Sequence, residues 1–227
     1  SEQQMAVISR DSKNKNYICL FEQDKSSEDW YTSIVWSMNL NLSSVYISDD
    51  GAYLLVTSDN STLSFLVPDP FDGVIRTEWM KVFENASLKC GEISGSGTSI
   101  AAGCEDGKIS VYHSNGDLNW SCSVGSSPEA LSFSEDGNLL LAGCKNGDVL
   151  LLSDARNNIH WSFHHSSEVI SLALSQSNDL CVVAYQDNHL EILDAKDGTS
   201  IKSFDLSLAI DGLSVSEDGD RILLWSE

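Results

Sequence analysis

Three histidines are the first residues whose types and spacing could do chemistry. His160 and His164 share one face of a strand-like segment, with His165 adjacent, and such a pair could clasp a transition metal. No third ligand follows at a useful spacing. Ser94-Gly95-Ser96-Gly97 has the residue types of a nucleophile elbow, but Ile93 and Thr98 do not complete Gly-x-Ser-x-Gly. Gly95 and Gly97 also begin a dinucleotide pattern, which Ile100 breaks where the third glycine belongs. Asp49-Asp50-Gly51, Glu105-Asp106-Gly107 and Glu217-Asp218-Gly219-Asp220 offer oxygens of the kind calcium takes. Asp218 and Asp220 alone lack the alternate ligands and distal carboxylate that calcium requires, so these read as hairpin turns with solvated carboxylates. Cys104 and Cys144 occupy the same place in a repeating pattern and read as core filling. No catalytic, cofactor or metal constellation emerges, and the expectation is a protein that is not an enzyme and carries no cofactor.

Charge narrows the field further. Among 227 residues, 34 are Asp or Glu and 13 are Lys or Arg, a formal net charge of −21. Acidity this strong repels phosphate backbones and anionic membranes, so neither nucleic-acid binding nor membrane insertion is expected. Apolar runs such as Leu139-Leu140-Leu141-Ala142 are too short to cross a bilayer. Hydrophobic residues make up 41%, enough to bury a core at this length. The six cysteines (Cys19, Cys90, Cys104, Cys122, Cys144 and Cys181) sit in apolar runs without a Cys-x-x-Cys pair. They read as buried thiols in a reducing, cytoplasmic setting, and the Ser-Glu-Gln-Gln start carries no signal segment. Asn-x-Ser/Thr triplets at Asn41, Asn60, Asn85 and Asn119 point the other way, but a Ser-rich chain produces them by chance.

The elements that must position any site come from a repeat. Tryptophan recurs at 36, 79, 120 and 161, steps of 43, 41 and 41, and one further step reaches Ser203 beside Phe204. Turn signals keep the same beat: Asp136-Gly137, Ser177-Asn178 and Asp218-Gly219, then Asp106-Gly107, Asn146-Gly147 and Asp187-Asn188. Asn115-Gly116, Asn157-Asn158 and Asp197-Gly198 form a third series. Gly107, Gly137, Gly147, Gly198 and Gly219 supply the positive φ that tight hairpins need. Short Val-, Ile-, Leu- and Ser-rich strands lie between the turns, four per unit of about 41 residues. Such a sheet buries neither face alone, so copies must stack, and radial stacking gives an all-β, four-stranded-blade propeller. Trp36, Trp79, Trp120 and Trp161 read as wedges between adjacent sheets.

The stretch His165 to Ser175, with its His four residues before Val169, resembles the first strand of a WD repeat. Gly103 to Tyr112 and Tyr185 to Asp194 resemble that repeat's second turn and third strand, with Leu193-Asp194 where a Trp-Asp pair would stand. No Gly-His or Trp-Asp dipeptide occurs, and the fourth-strand Trp together with Asp194 to Gly198 looks more like propellers of the quinoprotein, pyrroloquinoline quinone type. Most repeats lack the His of the WD family's His-to-Asp network, so Trp packing is expected to carry more of the cohesion.

The blades run 5–40 (partial), 44–86, 87–124, 128–164, 168–206 and 210–226 (partial), one propeller domain over residues 1–227. Five are visible. Pairing the last strands with the first sheet would make a five-bladed ring; otherwise the chain is part of a larger, roughly seven-bladed one, exposing sheet edges that invite a companion domain or self-association. The resemblance implies a protein–protein interaction scaffold. Asp49, Asp50, Glu105, Asp106, Glu135, Asp136, Glu217 and Asp218 would give it acidic rims for a basic partner. A quinoprotein-like enzyme or sensor with a ligand in the central channel is the alternative. It would need converging cations, and the four arginines, Arg10, Arg76, Arg156 and Arg221, do not repeat in register.

Overall fold

The structure is a computed structural model, and it describes all residues except 1–3, 12–14, 24–28, 39–40, 70–71, 155–157, 176, 178, 217–218 and 227. The described residues form twenty-one strands and no helix, arranged as antiparallel meanders in sequence order. The first sheet holds β1 (Gln4–Arg10), β2 (Asn16–Gln23) and β3 (Trp30–Met38). Four sheets of four strands follow. These are β4 (Leu42–Ile47), β5 (Leu54–Ser58), β6 (Thr62–Asp69) and β7 (Val74–Val82), then β8 (Leu88–Ile93), β9 (Ser99–Cys104), β10 (Lys108–His113) and β11 (Leu118–Ser123). Next come β12 (Pro128–Phe133), β13 (Leu139–Cys144), β14 (Asp148–Ser153) and β15 (Asn158–His164), then β16 (Val169–Leu174), β17 (Leu180–Tyr185), β18 (His189–Asp194) and β19 (Ser200–Asp205). The last sheet pairs β20 (Gly212–Val215) with β21 (Ile222–Trp225). β3 begins earlier than its apolar run suggests, because Trp30 and Tyr31 pair with Gln23 and Glu22.

This is the repeated-blade architecture of a β-propeller. The first strands of successive sheets lie beside one another, and each sheet packs face to face on the next. Alternation along a single strand divides its side chains between two interfaces. On β13, Leu140, Ala142 and Cys144 join a core with Ile109 and Val111 of the preceding sheet, whereas Leu141 joins one with Val169 and Val183 of the following sheet. Two cores served by one strand explain why these strands read as continuous apolar runs. Strand pairing of β20 and β21 with β1–β3, the arrangement that would complete a five-bladed ring, is not present among the described residues: β21 pairs with β20 and β1 with β2.

Each first hairpin is closed by a serine that the repeat analysis passed over. Ser48, Ser94, Ser134, Ser175 and Ser216 end the first strands, and each hydroxyl accepts a hydrogen bond from the backbone N–H five residues on, at 2.9–3.1 Å. Four of the five are essentially fully buried, so the hydroxyl satisfies a donor that the tight loop would otherwise orphan. All five glycines expected to take positive φ do so, from 70° at Gly137 to 87° at Gly147. Ser61 and Asn188 hold the same conformation at 59° and 67° without glycine.

The fifth repeat differs from the sequence expectation. Trp161 pairs with Leu151 across the sheet, and the matching partner of Ile192 is Lys202, neither Ser203 nor Phe204. A lysine therefore stands in the tryptophan position, and every residue of β19 is exposed.

Candidate protein-interaction surface

The tryptophans tie each sheet to the next. The Trp79 indole N–H donates to the Ser114 carbonyl at 2.8 Å, and that of Trp161 to the Ala195 carbonyl at 2.8 Å. Both carbonyls belong to the third turn of the following sheet, where Gly116 and Gly198 lie so close under the indoles that a Cβ would press into the rings. Trp36 and Trp120 are partly buried against the cores on either side. These side chains are occupied in packing between sheets.

In a meander, successive turns fall at opposite edges. The first and third turns of every sheet share one edge; the second turns and the loops between sheets share the other. Asp49, Asp50, Glu135 and Asp136 therefore stand on the first edge, and Glu105 and Asp106 on the second, while Glu217 and Asp218 lie outside the described residues. Several of these carboxylates are engaged locally. Asp136 accepts from the Ser134 hydroxyl at 2.7 Å and from the Asn138 backbone and side chain, which holds its carboxyl below the usual range. Asp50 accepts from Ser48 and from Ala52 N–H, and Asp106 from Lys108 N–H. Glu105 lies 3.8 Å from Lys89. Acidic turns are thus partly turn chemistry, and only part of their charge faces solvent freely.

A concave acidic site lies on the second edge, where residues of three sheets meet. A cavity of about 430 Å³ has Glu129, Glu168 and Asp211 on its wall, amides from Gln186 and Asn188, and a floor that includes Val169 and Ile210. Val169 and Ile210 are buried, at 0% and 3% exposure. No lysine or arginine lines it. The repeat hid this site because Glu129 and Asp211 hold one place in alternate sheets with Ile170 between them, and Glu168 holds a different place. A second groove of about 490 Å³ on the same edge mixes Lys81 and Lys108 with Glu84 and Asp106. Lys81 is held over the Tyr112 ring, 4.7 Å from its centroid.

The neighbouring first strands β4 and β8 carry one further titratable pair. Burial pushes the Glu92 carboxyl on β8 up to about 8. Tyr46 on β4 is pushed up to about 12, by burial first and then by Glu92. Burial raises the thiols as well, Cys104 to about 11 and Cys144 and Cys181 to about 12, so they remain protonated and poorly nucleophilic. All six cysteines are free.

Three of the five histidines, His164, His165 and His189, pair with carboxylates. His164 Nδ1 lies 2.7 Å from Asp148, and His165 Nε2 lies 2.9 Å from Asp187 in the second turn of its sheet. Among the described residues no group of three His, Cys, Asp or Glu side chains could hold a metal. Sequence inspection missed His189. Its two ring nitrogens face Asp205 at 2.7 Å and Glu191 at 2.9 Å, and its ring stacks on His165 with centroids 4.5 Å apart. Tyr185 packs on both imidazoles with its hydroxyl buried, and Ser200 bonds Glu191 from β19. Partial burial alone would lower the His189 pKa; the hydrogen bonds to Asp205 and Glu191 overcome this and raise it. A folded-state pKa above the ordinary 6.5 makes this clasp fully stabilising below that value and weakens it as pH rises through the folded pKa. The melting temperature should therefore fall by a few degrees from about pH 6 to about pH 9. Thermal scans of His189→Gln beside the parent check this, since the variant should lose the His189 part of the slope.

Residues 73–168 match the family model described as the anaphase-promoting complex subunit 4 WD40 domain. The match supports a WD40 β-propeller family. It runs from β7 through β15, so the WD40 likeness covers one outer strand and two whole sheets. No curated protein matches the chain. The WD40 match lends nothing to the quinoprotein likeness. His165, four residues before Val169 as the WD-repeat likeness has it, meets Asp187 in the second turn of its sheet. WD40-type blades and this match fit a propeller scaffold of the kind that commonly serves protein interaction.

Proposed function

We propose that this chain is a non-enzymatic WD40-type scaffold that binds a protein partner by a basic segment. The carrying observation is the three-sheet cavity with Glu129, Glu168 and Asp211 on its wall and no cation in its lining. A lysine or arginine stem suits the apolar floor, while its charged head meets the carboxylates. The surrounding charge of −21 would steer such a segment inward and raise the association rate at low salt. Six unpaired thiols favour a reducing, cytoplasmic setting.

A labelled lysine- and arginine-rich peptide of about ten residues serves as the probe. Its affinity should drop roughly tenfold or more between about 50 and 300 mM salt, because exposed charges farther apart than the Debye length become screened. The double variant Glu129→Lys/Glu168→Lys should lose most of that binding, whereas Glu84→Lys, away from the cavity, should cost little. Salt-independent binding, or equal loss from both variants, would count against the cavity.

A further inference from the structure

The second edge carries a feature that the repeat itself exposes. The residue that opens each third strand stands opposite one that closes the fourth: Lys108 opposite Ser123, Asp148 opposite His164, His189 opposite Asp205. In the two later sheets this place holds a carboxylate and an imidazole 2.7 Å apart. In the sheet β8–β11 a lysine faces a serine, so the counter-charge present at this position in the next two sheets is missing.

Lys108 lines the groove of about 490 Å³ together with Lys81, which comes from β7 of the preceding sheet. Lys81 Nζ lies 4.7 Å from the centroid of the Tyr112 ring and 5.6 Å from that of Trp79, so two rings place its ammonium. Among the described residues neither lysine makes an ion pair, although Arg76, Lys89 and Lys196 do. Of the two acids in the groove, Asp106 is held at the turn by the Lys108 backbone N–H, and Glu84 stands on the exposed loop between sheets. Ser110 and Tyr112 are buried beneath them. Two ammonium groups from different sheets, unpaired in a chain of charge −21, suit a carboxylate brought by another molecule.

Groove and acidic cavity share one edge. The groove lies between the sheets β4–β7 and β8–β11, and the cavity lies where β12–β15, β16–β19 and β20–β21 meet. Stacked sheets are about 10 Å apart, so roughly 25 Å separates the two. An extended chain of about eight residues covers that distance.

We propose that the partner segment is charge-patterned, with a basic stretch in the cavity and an Asp or Glu at least about eight residues away between Lys81 and Lys108, an inference that rests on the reading of the cavity as a basic-segment site. Opposite charges at two fixed places set the register and direction of the segment, which a uniformly basic one would leave free.

Fluorescence anisotropy with synthetic peptides is the test. The first peptide carries a Lys/Arg block, a Gly/Ser spacer of about twelve residues and a Glu/Asp block, and is made in both block orders. Its control has Gln and Asn in place of the acids, and a third peptide shortens the spacer to about two residues, which reach only about 7 Å. In one block order the acids should tighten binding roughly tenfold, because the second contact forms within one bound molecule; with the short spacer they should add nothing. In Lys81→Gln/Lys108→Gln the first peptide and its control should bind alike. In Lys108→Gln alone, which leaves the Lys81 contact with Tyr112 intact, the advantage should shrink, and in Glu84→Lys it should grow. Acids that weaken binding, an advantage equal for both spacers, or one that survives the double variant would overturn the groove and leave the cavity reading standing. A control peptide that does not bind, or that Glu129→Lys/Glu168→Lys leaves bound, would sink the cavity reading and the patterned segment with it.

Discussion

Trp161→Ala is expected to lower the melting temperature by roughly 6–20 °C. The side chain is 8% exposed, wedged between the sheets β12–β15 and β16–β19, and its N–H donates to the Ala195 carbonyl. Truncating a buried tryptophan costs about 3–5 kcal/mol, and each kcal/mol moves the midpoint by about 2–4 °C at this chain length. Trp161→Phe separates the two contributions. It keeps much of the apolar bulk but leaves the buried carbonyl without its donor, so about 1–2 kcal/mol of the loss should remain. Lys202→Ala supplies the control, because Lys202 holds the equivalent position on an exposed strand and should shift the midpoint little. Differential scanning calorimetry of the three variants decides the matter; equal effects at 161 and 202 would remove the wedge.

Gly147→Ala should be nearly as damaging, although it adds one methyl group. Gly147 has φ of +87°, which costs an L-residue about 1–2 kcal/mol. Here a Cβ would also fall 1.8 Å from the His165 carbonyl oxygen and 2.6 Å from that of Ser167. Both obstacles are backbone, so the loop must move, and with it the His165–Asp187 contact. A loss of at least about 2 kcal/mol follows. At Asn188, which holds φ of +67° in the next sheet, replacement by glycine should leave stability within about 0.5 kcal/mol. Urea titrations of both variants measure the contrast, and a neutral Gly147→Ala would show that the loop yields freely.

The blades were legible because their local geometry is written in residue types. An Asp-Gly or Asn-Gly at a turn declares positive φ, and a Trp every 41 to 43 residues declares a stacked interface. What stayed hidden depends on relations between sheets. The edge on which a turn falls follows from strand count, so Glu105 and Glu135 look equivalent in sequence yet stand at opposite ends. Glu129 and Asp211 hold one repeat place two periods apart, but Ile170 fills it in the sheet between and Glu168 stands off that series, so only the convergence of three sheets brings the three acids together. Asp205 reaches His189 across a hairpin sixteen residues long, beyond any local motif. The hairpin serines at 48, 94, 134, 175 and 216 did carry a period, but serine is so common in this chain that its beat was masked.

Glu92 and His189 alter what folding does to the solution around it. The figure of −21 takes every carboxyl as ionised and every imidazole as neutral. With the Glu92 pKa near 8, that carboxyl is mostly protonated in the folded chain at pH 7, though it would be ionised in the unfolded one. His189, raised as well, holds its proton more tightly after folding. Folding near neutrality is therefore accompanied by net proton uptake, and the native chain migrates as a less acidic particle than its sequence declares. Mild acidification should favour the native state until the ordinary carboxylates begin to protonate.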